Sequence, residues 1–233
     1  MNSKENLYFD INERFEFVEK LTKMVCFGHA NSVIITGQGG LGKTHTVLKA
    51  IEDTKIPYKK ISGHSTARGL YNLLYDYNGS TFLFDDCDSV LDDKTSQNIL
   101  KIALDSNEDR TITWAAKMPK GSEYPNEFEF TGRIIFITNK PQNKIFQPLL
   151  TRGYKVDLSM DILEKIERMK FILPTVCETN NINLNIGFQA LAFLEEKQNI
   201  VKSLSLRTLL DVIRIINSGQ DKWERLAEYT ITQ

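Results

Sequence analysis

The sequence predicts an α/β fold, in which a three-layer domain with a five-stranded parallel sheet and helices on both faces is followed by a small all-helical domain. Short β-branched and aromatic runs alternate with helical patterns up to about Leu158, and the strand signal then stops. Several runs are continuously apolar, as expected of parallel strands that are buried on both faces. Alternating strands and helices favour right-handed crossovers between parallel strands. The predicted strands are 32–36, 58–61, 81–84, 134–137 and 155–158.

The region after Ser159 contains only helical patterns. Its apolar residues recur near helical spacing, for example at Leu206, Leu209 and Ile213. The predicted helices of this region are 160–173, 187–200, 205–217 and 222–230. The expected domains are an α/β domain at 1–158, with a hairpin insertion at about 111–131, and a helical domain at 159–233.

Length and composition limit the class of protein. The chain has 233 residues, which suffices for one ordinary domain or two small ones. Its formal net charge of -1 excludes a strongly basic nucleic-acid coat, although not a local basic patch. No apolar run approaches the length of a membrane span, and the first ten residues are too polar for a signal peptide. The cysteines Cys26, Cys87 and Cys177 are too far apart for a zinc or disulfide pattern, so we expect a reducing cytoplasm.

A glycine-rich loop that matches G-x-x-x-x-G-K-[ST] lies between the first predicted strand and an amphipathic helix. Glycines permit a tight path with positive φ angles, so several backbone N–H groups can converge on a phosphate chain. The helix N-terminus adds its dipole. Lys43 would reach the β- and γ-phosphates, and the Thr44 hydroxyl would bind Mg²⁺; the alternative is a glycine turn without a ligand. The expected nucleotide-binding residues are Gly37, Gln38, Gly39, Gly40, Leu41, Gly42, Lys43, Thr44 and His45.

Two acidic residues, Asp85 and Asp86, directly follow the third predicted strand. Mg²⁺ usually takes one carboxylate, directly or through water, so Asp85 is the candidate metal ligand. Asp86 would orient or deprotonate the water that attacks the nucleotide. The alternative for this pair is an acidic cap at a strand end. Asp88 would either assist the metal or cap the next helix, predicted at 95–105.

These motifs and their order resemble the AAA+ ATPases, a branch of the P-loop NTPases. Residues 134–139 are similar to the sensor-1 strand, whose terminal Asn positions the lytic water, and this implies a catalytic role for Asn139. Arg152 lies in a segment similar to the one that carries the arginine finger, and Arg207 in one similar to the start of the sensor-2 helix. The family usually has Asp-Glu where this chain has two aspartates, so either hydrolysis is slow or the loop compensates.

The arginine roles are also plausible on physical grounds, because a guanidinium matches the charge that spreads over the γ-phosphate oxygens. The alternatives are an ion pair with a nearby acid for Arg152 and a solvated helix-start residue for Arg207. If Arg152 acts on a neighbouring subunit, the protein is a homo-oligomer such as a ring. ATP is expected rather than GTP, because Gln142 stands where a guanine-reading motif that begins at Asn139 would need an Asp.

Two alternating runs within 111–131 flank a turn and predict a β-hairpin. It is similar to the pre-sensor-1 hairpin of one AAA+ branch, whose DNA-acting members carry basic residues at its tip. That resemblance implies nucleic-acid contacts for Lys117 and Lys120, and Arg68 could touch the same polymer. The alternatives are a solvated loop over the sheet edge for the hairpin and a helix cap for Arg68.

The sequence therefore predicts an oligomeric ATPase that uses ATP and Mg²⁺ to remodel or move on nucleic acid. It would be a helicase, a helicase loader or a DNA-remodelling factor in DNA replication. Its compactness resembles that of phage or mobile-element proteins, which would act in the host cytoplasm. Two alternatives stay open: a protein-remodelling module that works with a protein partner, and a nucleotide-gated assembly switch with slow turnover.

Overall fold

The computed structural model of the protein describes residues 9–106, 109–114 and 123–233. The strands are β1 (Ser32–Thr36), β2 (Tyr58–Ser62), β3 (Thr81–Asp85), β4 (Thr111–Thr113), β5 (Glu127–Glu129), β6 (Arg133–Ile137) and β7 (Tyr154–Asp157). The main sheet has the order β2-β3-β6-β1-β7, and all its strand pairs are parallel. The five-stranded parallel α/β sheet predicted from the sequence is therefore confirmed.

The chain forms two compact units. The α/β unit contains Arg14–Gln38 and Lys43–Ser159, and the helical unit contains residues 9–13, Gly39–Gly42 and Met160–Gln233. The helices of the α/β unit are α1 (Ile11–Cys26, from Arg14 onward), α2 (Lys43–Thr54), α3 (Ala67–Asp76), α4 (Asp88–Asp92), α5 (Lys94–Ala103) and α6 (Gln147–Leu150). The helical unit contains α7 (Ile162–Thr179), α8 (Leu184–Glu196), α9 (Leu206–Asn217) and α10 (Trp223–Ile231).

Helices cover both faces of the main sheet. On one face, Phe84 of β3 and Phe136 of β6 stack with their ring centroids 5.4 Å apart and share an apolar cluster with α3 and α5. Asp85 faces the other side, because side chains alternate along a strand, and there it contacts Thr44 at the start of α2. An ion pair joins α1 to α2. The sheet is thus the middle of three layers.

An antiparallel ribbon of β4 and β5 packs on α3. Its anchor is Tyr71, whose ring centroid lies 5.5 Å from that of Trp114 and 5.2 Å from that of Phe128. These aromatic contacts hold the ribbon in one orientation on the α/β unit. The predicted tip residues of this hairpin, Lys117 and Lys120, lie outside the described residues.

In the helical unit, α7 extends through Pro174 to Thr179, so its predicted end at residue 173 is wrong. A proline inside a helix removes one N–H and usually ends or kinks the helix. The part of α7 after Pro174 packs closely on α8. A Cβ added at Gly187 of α8 would lie only 2.6 Å from the Cys177 sulfur atom. Among the residues that the structure describes, no helix has the length and apolar character needed to cross a bilayer.

Candidate nucleotide-binding site

The predicted site residues follow three neighbouring strands of the main sheet. Gly37 follows β1, Asp85 ends β3, and Asn139 lies just after β6. Because β6 lies between β3 and β1 and the strands are parallel, their carboxyl ends share one edge of the sheet. This is the edge at which ligands bind in open α/β sheets.

Lys43, the first residue of α2, contacts both the glycine-rich loop and Asn139, which follows β6. Its Nζ donates to the carbonyl oxygens of Gly37 at 2.6 Å and Gln38 at 2.7 Å, and to Asn139 Oδ1 at 3.0 Å. Only 5% of Lys43 is exposed. Burial lowers the pKa of Lys43 to about 8, and the nearby carboxylates act in the opposite direction. The ammonium group therefore carries its proton at neutral pH.

Asn139 connects Lys43 to Asp86. Its Oδ1 accepts from Lys43, and its Nδ2 donates to Asp86 Oδ1 at 2.8 Å. Both ends of the amide are thus in use, which fixes its orientation. Asp86 is exposed and has a φ of 56°, a left-handed conformation that Asp adopts more readily than most residues. Strained backbone of this kind clusters at functional sites.

The Asp85 carboxylate is held at both oxygens. Its Oδ1 accepts from the Thr44 hydroxyl at 3.0 Å, and its Oδ2 lies 3.1 Å from Lys60 Nζ. Asp85 is buried, so this orientation is well defined. Lys60, on the edge strand β2, is not among the residues predicted from the sequence. The signal for it is a lysine in the strand that precedes the acidic strand.

Thr44 and Asp85 provide the donor atoms that Mg²⁺ prefers. Hydroxyl and carboxylate oxygens are hard ligands, and Mg²⁺ in nucleotide sites takes its remaining ligands from water and phosphate. The described part of the chain has no group of three or more His, Cys, Asp or Glu residues placed to hold a metal. The two oxygen donors of Thr44 and Asp85 fit a magnesium ion whose other ligands would come from a nucleotide and water.

Asp88 braces two strand ends. It accepts from the Thr138 hydroxyl at 2.6 Å, and Thr138 is fully buried directly before Asn139. The helix-cap alternative for Asp88 is wrong, since the N-cap of α5 is Asp93, whose carboxylate accepts from Ser96 N at 2.6 Å. The Asp88–Thr138 bond holds the end of β6 against the loop after β3, and so fixes Asn139 relative to that loop.

Two glycines of the loop serve different needs. Gly37 has a φ of 133°, and a Cβ there would lie 2.7 Å from the carbonyl carbon of Leu158, so packing alone requires glycine. Gly42 has a φ of 96°, but a Cβ there would meet no atom within 4 Å. The space beside Gly42 is therefore open, as is needed where a backbone approaches a phosphate closely.

Within the helical unit, the tip of the loop contacts the start of α9. The Leu206 N–H donates to the Gly40 carbonyl oxygen at 2.8 Å, and a Cβ on Gly40 would lie 2.9 Å from the Ser205 Cβ. Arg207 is exposed on the first turn of α9, directly after this contact. The structure thus places the predicted sensor-2 residue one position from the residue that binds the loop tip.

Arg152 lies just before β7, at the amino-terminal ends of the parallel strands. The site residues that follow β1, β3 and β6 lie at the carboxyl ends, at the opposite edge of the sheet. Its Nε donates to the Lys101 carbonyl oxygen at 2.6 Å and lies 3.0 Å from Asp105 Oδ2. A cavity of about 380 Å³ borders its side chain. The structure therefore does not bring Arg152 close to Lys43. Arg152 instead forms an ion pair with Asp105, which is the alternative named from the sequence.

Two other predicted residues lie at helix starts. Arg68 is in the first turn of α3, near Tyr124, which lies before β5. The helix-cap alternative for Arg68 is wrong, because the Thr66 hydroxyl caps α3 by accepting from Gly69 N at 3.1 Å. His45 is exposed in the first turn of α2. Among the described residues, no contact assigns a role to Arg68 or His45.

Comparison with known proteins finds a relative encoded by a phage. No model of a known protein family matches the chain. A protein of Enterobacteria phage T4, named as an uncharacterized 36.7 kDa protein in the nrdC-mobD intergenic region, is 31% identical over an alignment of 250 positions. The alignment covers 97% of this chain and 75% of the phage protein.

Proposed function

We propose that this chain, which belongs to the same family as the 36.7 kDa protein of phage T4, is a Mg²⁺-dependent ATPase with the P-loop fold of the AAA+ branch. The observation that carries the proposal is the hydrogen-bonded chain from Lys43 through Asn139 to Asp86, beside the bonded pair of Thr44 and Asp85. A glycine turn without a ligand has no need of these groups. The phage relative supports a phage origin as well.

Each of these side chains has a task in the proposed reaction. Lys43 donates to two loop carbonyls and to Asn139, and phosphate oxygens would take over as its acceptors. Asp86, oriented by Asn139, positions the attacking water and accepts its proton. Thr44 and Asp85 would hold a magnesium ion, which would supply positive charge to neutralise the phosphate oxygens. The direct test is Mg²⁺-dependent release of phosphate from ATP by the purified protein.

The arrangement supports ATP rather than GTP as the substrate. The Asn139 amide is held by Lys43 and Asp86 at the phosphate end of the site, so it is not available to read a base. Gln142 lacks the carboxylate that would accept two guanine N–H groups.

We further propose a homo-oligomer in which Arg152 contacts the nucleotide of a neighbouring subunit. The position of Arg152 at the edge opposite Lys43 supports action between subunits. Arg152→Ala is expected to lower turnover by about 10³-fold or more, the effect typical of an arginine finger. Mixing Arg152→Ala subunits with Lys43→Ala subunits, which retain Arg152, is expected to restore part of the activity. The measurement is phosphate release as a function of the mixing ratio.

Asp105→Asn is the matched control for Arg152→Ala. It weakens the same ion pair but keeps the guanidinium group, so turnover is expected to stay near that of the wild type. Equal losses in both variants would show that the ion pair has a structural role. Mixtures without any restored activity would count against action between subunits.

We propose nucleic acid as the polymer on which this ATPase acts. The support is the pair Lys117 and Lys120 in the hairpin sequence, together with Arg68 near the ribbon. Binding of a single-stranded oligonucleotide is expected to weaken as salt rises, and replacing both lysines by alanine should reduce that slope by about 1.4. Fluorescence anisotropy with and without ATP measures both effects.

Oligonucleotide binding, ATP turnover and the assembly state, measured together, distinguish the alternatives. A protein that binds no oligonucleotide at low salt, but whose ATP turnover is stimulated by another protein, would be a protein-remodelling module. Assembly that depends on ATP, without measurable turnover, would indicate a nucleotide-gated switch. An unchanged salt slope in the double lysine variant would remove the hairpin tip from the proposed interface.

A further inference from the structure

Lys60 places a second positive charge at the carboxylate that the proposed function assigns to the metal. Its Nζ lies 3.1 Å from Asp85 Oδ2, while Thr44 occupies Oδ1. The sheet register explains the contact. Lys60 pairs with Leu83, and Asp85 is two residues beyond Leu83 on the same face. The contact is therefore built into the pairing of β2 with β3.

The two members of this ion pair differ in their freedom to move. The Asp85 side chain is 10% exposed, whereas that of Lys60 is 40% exposed on the edge strand. A divalent cation that binds near Asp85 needs the carboxylate lone pairs and is repelled by a neighbouring ammonium group. Lys60 can swing into solvent to relieve this repulsion, but the buried carboxylate cannot turn away. Metal binding and the Lys60–Asp85 pair are thus opposed.

We propose that Lys60 competes with the divalent metal for Asp85 and thereby raises the metal concentration that the nucleotide site requires. This inference rests on the proposed function, because it takes Asp85 as the metal carboxylate. Lys60 acts through Asp85 and is a positioning residue, without contact to the nucleotide. The ammonium group keeps the carboxylate neutralised until metal and nucleotide arrive together.

The test is metal binding measured without turnover. Mn²⁺ serves as the probe, in the presence of a non-hydrolysable ATP analogue, and the loss of the free Mn²⁺ signal in electron paramagnetic resonance gives the affinity. Lys60→Gln is expected to bind Mn²⁺ about three- to tenfold more tightly than the wild type, the size expected for a partly exposed charge. Lys60→Met, which also removes the charge, is expected to give the same result. Lys60→Arg, which keeps the charge, is expected to match the wild type.

Lys59→Gln is the matched control. Lys59 is the preceding residue of β2, faces the other side of the sheet, and has its Nζ 3.9 Å from the ring centroid of Tyr77. The Lys59→Gln variant removes the same charge from the protein, but on the face away from Asp85. Its Mn²⁺ affinity is therefore expected to equal that of the wild type. An equal gain in Lys59→Gln would show a general charge effect and overturn the proposal.

Unchanged or weaker Mn²⁺ binding in Lys60→Gln and Lys60→Met would also overturn it; a weaker affinity would mean that Lys60 orients Asp85 for the metal. Failure of the proposed function looks different, since the wild type would then bind neither the ATP analogue nor Mn²⁺ with it. A wild type that binds both, together with variants of equal affinity, refutes only the competition by Lys60.

Discussion

Lys43→Ala is expected to weaken ATP binding by at least about 100-fold, because it removes a buried cation that would donate to two phosphate groups. Hydrogen bonds that involve charged groups are the strong ones in proteins, and Lys43 Nζ donates two of them to the carbonyl oxygens of this loop. Calorimetric titration with an ATP analogue in the presence of Mg²⁺ measures the loss.

The variant is expected to fold. Burial lowers the pKa of Lys43 to about 8, so the folded protein binds this proton less tightly than the unfolded chain does. The resulting penalty on stability is present below pH 8 and is relieved as the pH rises further. Alanine removes the penalty but also loses the packing of the aliphatic stem. These effects oppose each other, so we expect a melting temperature within about 4 °C of the wild type.

Lys49→Ala is the matched control for Lys43→Ala. Lys49 lies on the same helix, α2, and is exposed. Its replacement removes the same charge and keeps a good helix former, so nucleotide affinity is expected to stay unchanged. ATP affinity of Lys43→Ala equal to that of the wild type would refute the phosphate loop and, with it, the proposed ATPase.

The central strands β3, β6 and β1 of the main sheet are predictable because parallel strands buried on both faces are short, apolar and bounded by polar turns. Helix α1 is not among the predicted elements, although its start carries a readable signal. The Asp10 carboxylate accepts from Glu13 N, and the Glu13 carboxylate accepts from Asp10 N, which is a capping box. The end of α7 is mispredicted for a different reason. The helix continues through Pro174, and its C-terminal end packs closely on Gly187 of α8, a contact between helices that the local proline signal does not include.

The candidate site also combines residues that the sequence predicts with contacts that it does not. The glycine-rich loop and Asp85 are predictable as candidate residues, because their spacing along the chain matches what a phosphate and a metal would require. The contacts of Lys60 with Asp85 and of Thr138 with Asp88 depend on which strands are neighbours. Strand order is a property of the whole sheet. The sequence therefore indicates where each strand ends, but not which side chains of neighbouring strands contact that end.

Asp86→Asn is expected to retain ATP binding within about twofold and to lose about 10²- to 10⁴-fold in turnover, the range typical of a missing general base. Asn has nearly the same shape as Asp and tolerates the left-handed conformation at φ 56°, so the loop is expected to keep its path. Its side-chain oxygen can still accept from Asn139 Nδ2. The amide cannot take a proton from water, and this is the property that the variant removes.

Asp92→Asn is the control for this variant. Asp92 is an exposed acid on α4 that pairs with Lys140, outside the hydrogen-bonded chain of the site. Single-turnover phosphate release and analogue binding, measured on both variants, separate the chemical step from affinity. Full turnover in Asp86→Asn would move the base elsewhere, with Asp88, two residues further along the chain, as the next candidate. Loss of binding as well as turnover would instead mean that Asp86 holds Asn139 and Lys43 in place, because those two residues share its hydrogen-bonded chain.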